Sequence, residues 1–290
     1  MKPIIGAHIS ASGGLYKAFE NAKNIGADAM QIFGSSPQQW SVRLPKEEDV
    51  KKFKQGHKES GHIPVFLHAS YLANLASVSE ITRANALQSL TGHLKIADLI
   101  SAQGLIFHIG SASAAKALAT EAQVSAKEDA MNLVVEGCQK ILKSVPGKTQ
   151  LILENSSAAG AKLGATASEV GQILKKIKSE RAKVCFDTAH AFASGYDLRN
   201  AHALKTTLAD FDIIIGLKYL KLIHANDSKV ELNAKRDRHE HIGLGKIGLS
   251  GFEAIVDFAK KNNIDLILET PDLESRQKDI EILKKIRDQK

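Results

Sequence analysis

The sequence predicts a closed α/β barrel, a (β/α)8 TIM barrel of eight parallel strands each followed by a helix, as a single domain over residues 1–290. Three observations predict it. Short β-branched and apolar runs recur along the whole chain. Their apolarity is continuous rather than alternating, as in parallel strands covered on both faces. Helical patterns fill the intervals, and no Pro/Gly/Ser-rich linker or low-complexity stretch divides the chain. A doubly wound open sheet would show the same alternation and stays open as the alternative.

The elements follow in order. The first strand is read in IIGAHIS near residue 4 and closes on His8. Leu15, Ala18, Phe19 and Ala22 then follow helical spacing, and Gly26 stops that helix because it tolerates left-handed backbone. The second strand is AMQIF near 29, ending at Phe33; the third is VFLHAS near 65, ending at His68; the fourth is LIFHIG near 105, ending at His108. Ser125 with Glu128 has capping-box spacing for the next helix. The fifth strand, LILEN near 151, ends at Glu154, and Thr166 with Glu169 repeats the capping pattern before Val170, Ile173, Leu174 and Ile177. VCFDTAH near 184 is the sixth strand, closing on Asp187, and LKLIHAND near 221 the seventh, closing on His224. Ser250 with Glu253 opens the helix that carries Phe252, Ile255, Val256 and Ala259, and LILET near 266 is the eighth strand, ended by Glu269.

Composition narrows the class. With 43% apolar and 24% charged residues the chain can bury a core, which excludes a disordered protein. The amino-terminal apolar stretch is too short for a signal peptide, and no run approaches the roughly 18 apolar residues of a membrane span. The expected location is the cytoplasm. Cys138 and Cys185 sit in apolar helical and strand contexts without paired metal spacing, and are read as reduced core thiols. A formal charge of +7 favours an anionic partner, although clusters such as KKFK at 51–54 and the terminal KKIRDQK also fit solvated helix faces.

Polar strand ends carry the functional signal. Seven of the eight strands end in His, Asp or Glu, and a barrel opens all its carboxyl-terminal strand ends on one face. Singly, each such residue could be a hydrogen-bonded core histidine or a helix cap. Gathered in one cavity, several carboxylates are costly to bury without cations between them. DRHEH adds Asp237, His239 and His241 before the eighth strand, and His190 follows Asp187 on the loop leaving the sixth. His57, His62, His93 and His202 lack such company and are read as structural or solvent-facing. Histidine with carboxylate and no thiolate suits Zn²⁺ in hydrolytic use, with Mn²⁺ or Fe²⁺ accepting the same donors. So many ligands imply two or more ions, the usual arrangement for phosphoester hydrolysis, in which Glu154 or Glu269 could bridge ions.

The segments GAHISASGGL, FHIGS, LILEN, FDTAHAFASGYDLR, LKYLKLIHANDSK, DRHEHIG and LILET together resemble the endonuclease IV family from end to end. The resemblance implies a trinuclear zinc site that hydrolyses the phosphodiester 5′ to an abasic site in duplex DNA, with trimming of blocked 3′ ends. It implies a first zinc on His68, His108 and Glu154, a second on Glu154, Asp187, His224 and Glu269, and a third on His190, Asp237 and His239. Glu154 and Glu269 would be catalytic, Tyr71 and Leu72 would fill the gap in the duplex, and His8 would face the DNA. A monomer is expected. Gln38 stands where the family carries an arginine wedge, Ile109 where proline is common and Leu244 where an acid is frequent; NSSAAGAKLG matches the glycine-rich turn only loosely. A sugar isomerase on a similar barrel and a DNA-binding protein without catalysis are the rival readings.

Overall fold

The computed structural model describes residues 2–112 and 121–289. Its barrel strands are β1 (Ile5–His8), β2 (Met30–Phe33), β3 (Val65–His68), β4 (Gly104–His108), β5 (Gln150–Glu154), β6 (Ala182–Asp187) and β7 (Leu220–His224). A short antiparallel ribbon of β8 (Asp227–Ser228) and β9 (His239–Glu240) precedes the last barrel strand, β10 (Asp265–Leu268). Every neighbouring pair in the barrel is parallel, and β10 pairs back onto β1, Ile5 opposite Leu266. Closure rules out the open sheet.

Period-two alternation along these strands makes two apolar layers. Outward positions such as Ile5, Ile32, Val65 and Leu67 pack under the helices. Ala29, Phe66, Ile106, Ile152, Cys185, Leu222 and Ile267 form a separate cluster inside the barrel. Because successive side chains alternate faces, the next inward positions are two residues on: Gln31, His68, His108, Glu154, Asp187, His224 and Glu269. The polar layer thus sits directly on an apolar floor. Burial pushes the thiols of Cys138 and Cys185 up to about 12, which keeps both protonated and inert.

The helices largely follow their patterns. The first begins as a 3-10 turn at Leu15–Lys17, continues as α1 (Ala18–Asn24) and is followed by Gly26 at φ 70°. Then come α2 (Glu47–Glu59), α3 (Glu80–Leu99), α4 (Glu121–Ser144) and α5 (Ala167–Ile177). Thr166 caps α5, its hydroxyl accepting from the Glu169 amide, while the Glu169 carboxylate reaches back to the amides of Gly164 and Ala165 rather than to the cap itself. Two expected starts are corrected. Ser125 falls within α4, not at its cap, and its side chain lies outside the described residues. Ser250 lies within α8 (Gly248–Asn262), whose cap position is Ile247 with no side-chain capping bond. The spacing of a serine and a glutamate three residues apart fits a helix interior as well as its start. A six-residue helix, α6 (Thr188–Ala193), follows β6, so His190 is helical and not in a loop. α7 (Ala201–Ile214) and α9 (Leu273–Asp288) complete the shell. Among the described residues no helix is long and apolar enough to cross a membrane.

Candidate metal centre

Glu154 stands fully buried at the end of β5, and its two oxygens face opposite sides. Oε2 lies 3.0 Å from His68 Nε2 and 3.1 Å from His108 Nε2. Oε1 lies 2.9 Å from His224 Nδ1 and 3.5 Å from His190 Nδ1. Glu269 approaches the same His224 nitrogen with Oε2 at 3.2 Å. Asp187 caps α6 by accepting the His190 amide at 2.7 Å, and its other oxygen takes the Asn226 amide group at 2.7 Å. Asp237 places Oδ2 3.0 Å from His190 Nε2 and Oδ1 3.4 Å from His239 Nε2.

Three groups of donor atoms result, each within 4.8 Å: His68, His108 and Glu154; Glu154, Asp187, His224 and Glu269; and Asp187, His190 and His239. The first two have the composition of the first and second sets that the resemblance implies. In the third Asp187 joins His190 and His239, with Asp237 bracketing both rings. Shared Glu154 and shared Asp187 therefore link the three groups into one row.

The ring nitrogens test whether cations fit. His68, His190 and His239 place Nδ1 on the carbonyl oxygens of Ala69, Asn155 and Glu269 at 2.8, 2.9 and 3.2 Å. His224 places Nε2 on Gln31 Oε1 at 2.8 Å. A carbonyl oxygen can only accept, so each ring spends its one N–H there, and the nitrogen left facing a carboxylate carries a lone pair. Lone pair against carboxylate is repulsive unless the ring takes a second proton or a cation lies between. Among the described residues, buried His239 Nε2 has no hydrogen-bond partner, which is the same mismatch seen from one atom. The donor set fits metal ions.

Electrostatics agree. Burial alone would favour neutral Glu154, yet His108 and His224 hold its carboxyl well below the usual range. Burial would lower His190, but Asp187, Asp237 and Glu154 hold it up at about 10. Burial likewise favours neutral Glu269 and is outweighed by His224, His8 and His68. The pKa values of His68, His190 and His224 are all raised, and protons held on these rings are ones that divalent ions can displace on binding.

The remaining site residues fall as follows. His8 accepts from Gln31 Nε2 at 3.0 Å and lies 3.5 Å from Glu269 Oε1; burial lowers it, consistent with a neutral acceptor. Tyr71 is 63% exposed, so it does not pack beneath its loop. Leu72 is half-buried and Gln38 exposed, and the Ser70 hydroxyl donates to the Pro37 carbonyl, joining their two loops. His241 turns away from the row to Asp279 and Asp272 on the other side. Sequence reasoning missed Gln31, Asn155, Asn226 and Lys162, whose ammonium lies 3.2 Å from Asp237 Oδ2. Gln31 was detectable by counting two residues on from the inward Ala29, instead of stopping at the last apolar residue, Phe33.

A family model described as a xylose isomerase-like TIM barrel matches residues 19–286. A probable endonuclease 4 of Halothermothrix orenii is 37% identical over 284 residues, covering 98% of this chain and 99% of the relative. The chain belongs to the endonuclease IV family. A crystal structure of endonuclease IV from Thermus thermophilus superposes with a TM-score of 0.84 at 29% identity, covering 98% of both chains. A D-tagatose 3-epimerase-like protein shares the fold at 18% identity and a TM-score of 0.69, over 98% of this chain and 96% of that one. Endonuclease IV membership rests on the first two likenesses; the epimerase likeness concerns the barrel alone.

Proposed function

We propose that this chain is a DNA repair endonuclease that hydrolyses the phosphodiester 5′ to abasic sites in duplex DNA. The products would be a 3′-hydroxyl and a 5′-deoxyribose phosphate. The observation that carries the reading is the row of three donor groups joined through Glu154 and Asp187. Three zinc ions are the proposed occupants, with manganese or iron accepting the same donors, because the set is imidazole and carboxylate without thiolate. When bound, such ions supply Lewis acidity to the phosphate and make water a competent nucleophile near neutral pH.

The protein's own groups have separate tasks. Glu154 would be shared by the first two positions, its Oε2 facing His68 and His108 and its Oε1 facing His224, and Asp187 would be shared by the second and third. Glu269, whose side chain is 18% exposed, would orient an attacking water and hold its proton. Exposed Tyr71 and Gln38 and half-buried Leu72 follow β3 and β2 on the mouth side, where they would enter a duplex whose stacking is already interrupted. Gln38 would insert without adding charge. His8, behind Glu269, is proposed to face the substrate through its exposed edge. The net charge of +7 suits a polyanion. Trimming of blocked 3′ ends would use the same centre, and a monomer suffices because the row comes from one chain.

The test is incubation of purified, metal-analysed protein with a duplex carrying one abasic site. The expected result is a single cut on the 5′ side leaving an extendable 3′-hydroxyl. A cut on the 3′ side, or no cut by fully metal-loaded protein, would remove the reading.

A further inference from the structure

The geometry points to Gln31 as a positioning residue of the metal centre, setting the tautomer of His224 and the orientation of Glu269. This rests on reading the donor row as a metal centre. β2 is the barrel strand without a titratable residue at its mouth, and Gln31 occupies the inward position that ligands occupy elsewhere.

The side chain is wholly buried and both ends are engaged. Nε2 donates to Glu269 Oε1 at 2.5 Å and to His8 Nδ1 at 3.0 Å, and Oε1 accepts from His224 Nε2 at 2.8 Å. A carboxylate can only accept, which assigns the amide nitrogen to the Glu269 side and the oxygen to His224. With its Nε2 proton committed to Gln31, neutral His224 turns the Nδ1 lone pair toward Glu154 and Glu269. With Oε1 held by the amide, Glu269 presents Oε2 to the same place. One carboxamide thus aims two donors of the central group, and it can do so because its two ends differ in polarity. Lined by Phe66 in register on β3 and His8 on β1, it has little room to turn. Outer partners of this kind typically change metal affinity by roughly 10–100-fold.

Two substitutions separate the roles. Gln31→Met fills the volume but offers neither end; Gln31→Glu is isosteric, keeps an acceptor for His224 and sets an acceptor against Glu269. Metal per chain is measured after dialysis against graded chelator, alongside the visible absorption of the cobalt-loaded proteins, circular dichroism and thermal unfolding. Both variants are expected to fold as wild type, lose the central ion at roughly 10–100-fold lower chelator strength, and show an altered cobalt spectrum. Wild-type metal number, affinity and cobalt spectrum in either folded variant would overturn the assignment. So would an experimental structure of metal-loaded wild type with the Gln31 amide out of hydrogen-bond reach of His224 and Glu269, a result independent of how the variants fold. Failure of wild type to incise abasic duplex would remove the proposed reaction while leaving this metal-binding test intact.

Discussion

At the residue scale, the centre depends on which oxygen faces which nitrogen. Glu269 divides its carboxylate between Gln31 on Oε1 and His224 Nδ1 on Oε2. Glu269→Gln would turn one oxygen into a donor that can bond His224 Nδ1 directly, satisfying the pocket while closing it to a cation. The fold should survive, with far-UV circular dichroism unchanged. Incision should fall by about 100-fold or more, equivalent to ~2.7 kcal/mol of transition-state stabilisation. Near-normal cleavage by this variant would count against the role of Glu269. Asn155 shows the same economy: its side chain pairs with the Asp187 backbone at both ends while its carbonyl receives His190, so a neutral residue aligns two strand ends.

At the element scale, the segment carrying Asp237 and His239 is held from below by one buried carboxylate. Asp227 accepts from the amides of Ser228, Gly243, Gly245 and Ile247 at 2.7, 3.0, 3.1 and 2.9 Å. A Cβ at Gly245 would meet Asp227 Oδ1 at 2.4 Å and the Ser228 carbonyl oxygen at 2.5 Å, so only glycine lets the chain wrap this closely. Gly245→Ala should cost about 1–3 kcal/mol and reduce metal at the His190 and His239 group, read by urea unfolding with metal analysis. Thr166→Ala, far from the row, should cost about 1 kcal/mol and leave metal content alone. Equal metal loss in both would mean that general destabilisation, not the loop, empties that group.

At the scale of the whole molecule, the candidate centre should couple pH, metal and stability. His190 is raised from 6.5 to about 10, so in metal-free protein its contribution is full below about pH 6.5 and lost as pH rises through about 10. Glu154 and Glu269 are lowered from 4.5, so theirs is full above that value and lost as pH falls through their depressed values. Chelated protein should therefore lose melting temperature on both limbs, and metal should flatten the alkaline one because ions replace the displaced protons. An alkaline limb unchanged by metal in a thermal-shift series would contradict this. Brief EDTA exposure should leave activity largely intact, since most donors are buried. Rapid, complete inactivation would indicate loosely held ions instead.

The eight strands were readable because strands covered on both faces must be continuously apolar, and Val65–Leu67 or Leu151–Leu153 can hardly be anything else. The donors were readable because charge at the end of such a run has no cheap explanation. Helix starts at Ser125 and Ser250 were misplaced because a local pattern has no means of choosing between a cap and an interior turn. His241 shares the spacing of Asp237 and His239, yet β9 ends at Glu240, so alternation stops and the ring goes to α9. Sequence alone determined the residue types, their period and thereby the family. Only the tertiary structure decided that Asp187 serves two groups, and that Gln31 speaks to both His224 and Glu269. Those contacts join residues 193 and 238 positions apart, and closure of the barrel, not any local preference, sets their separation in space.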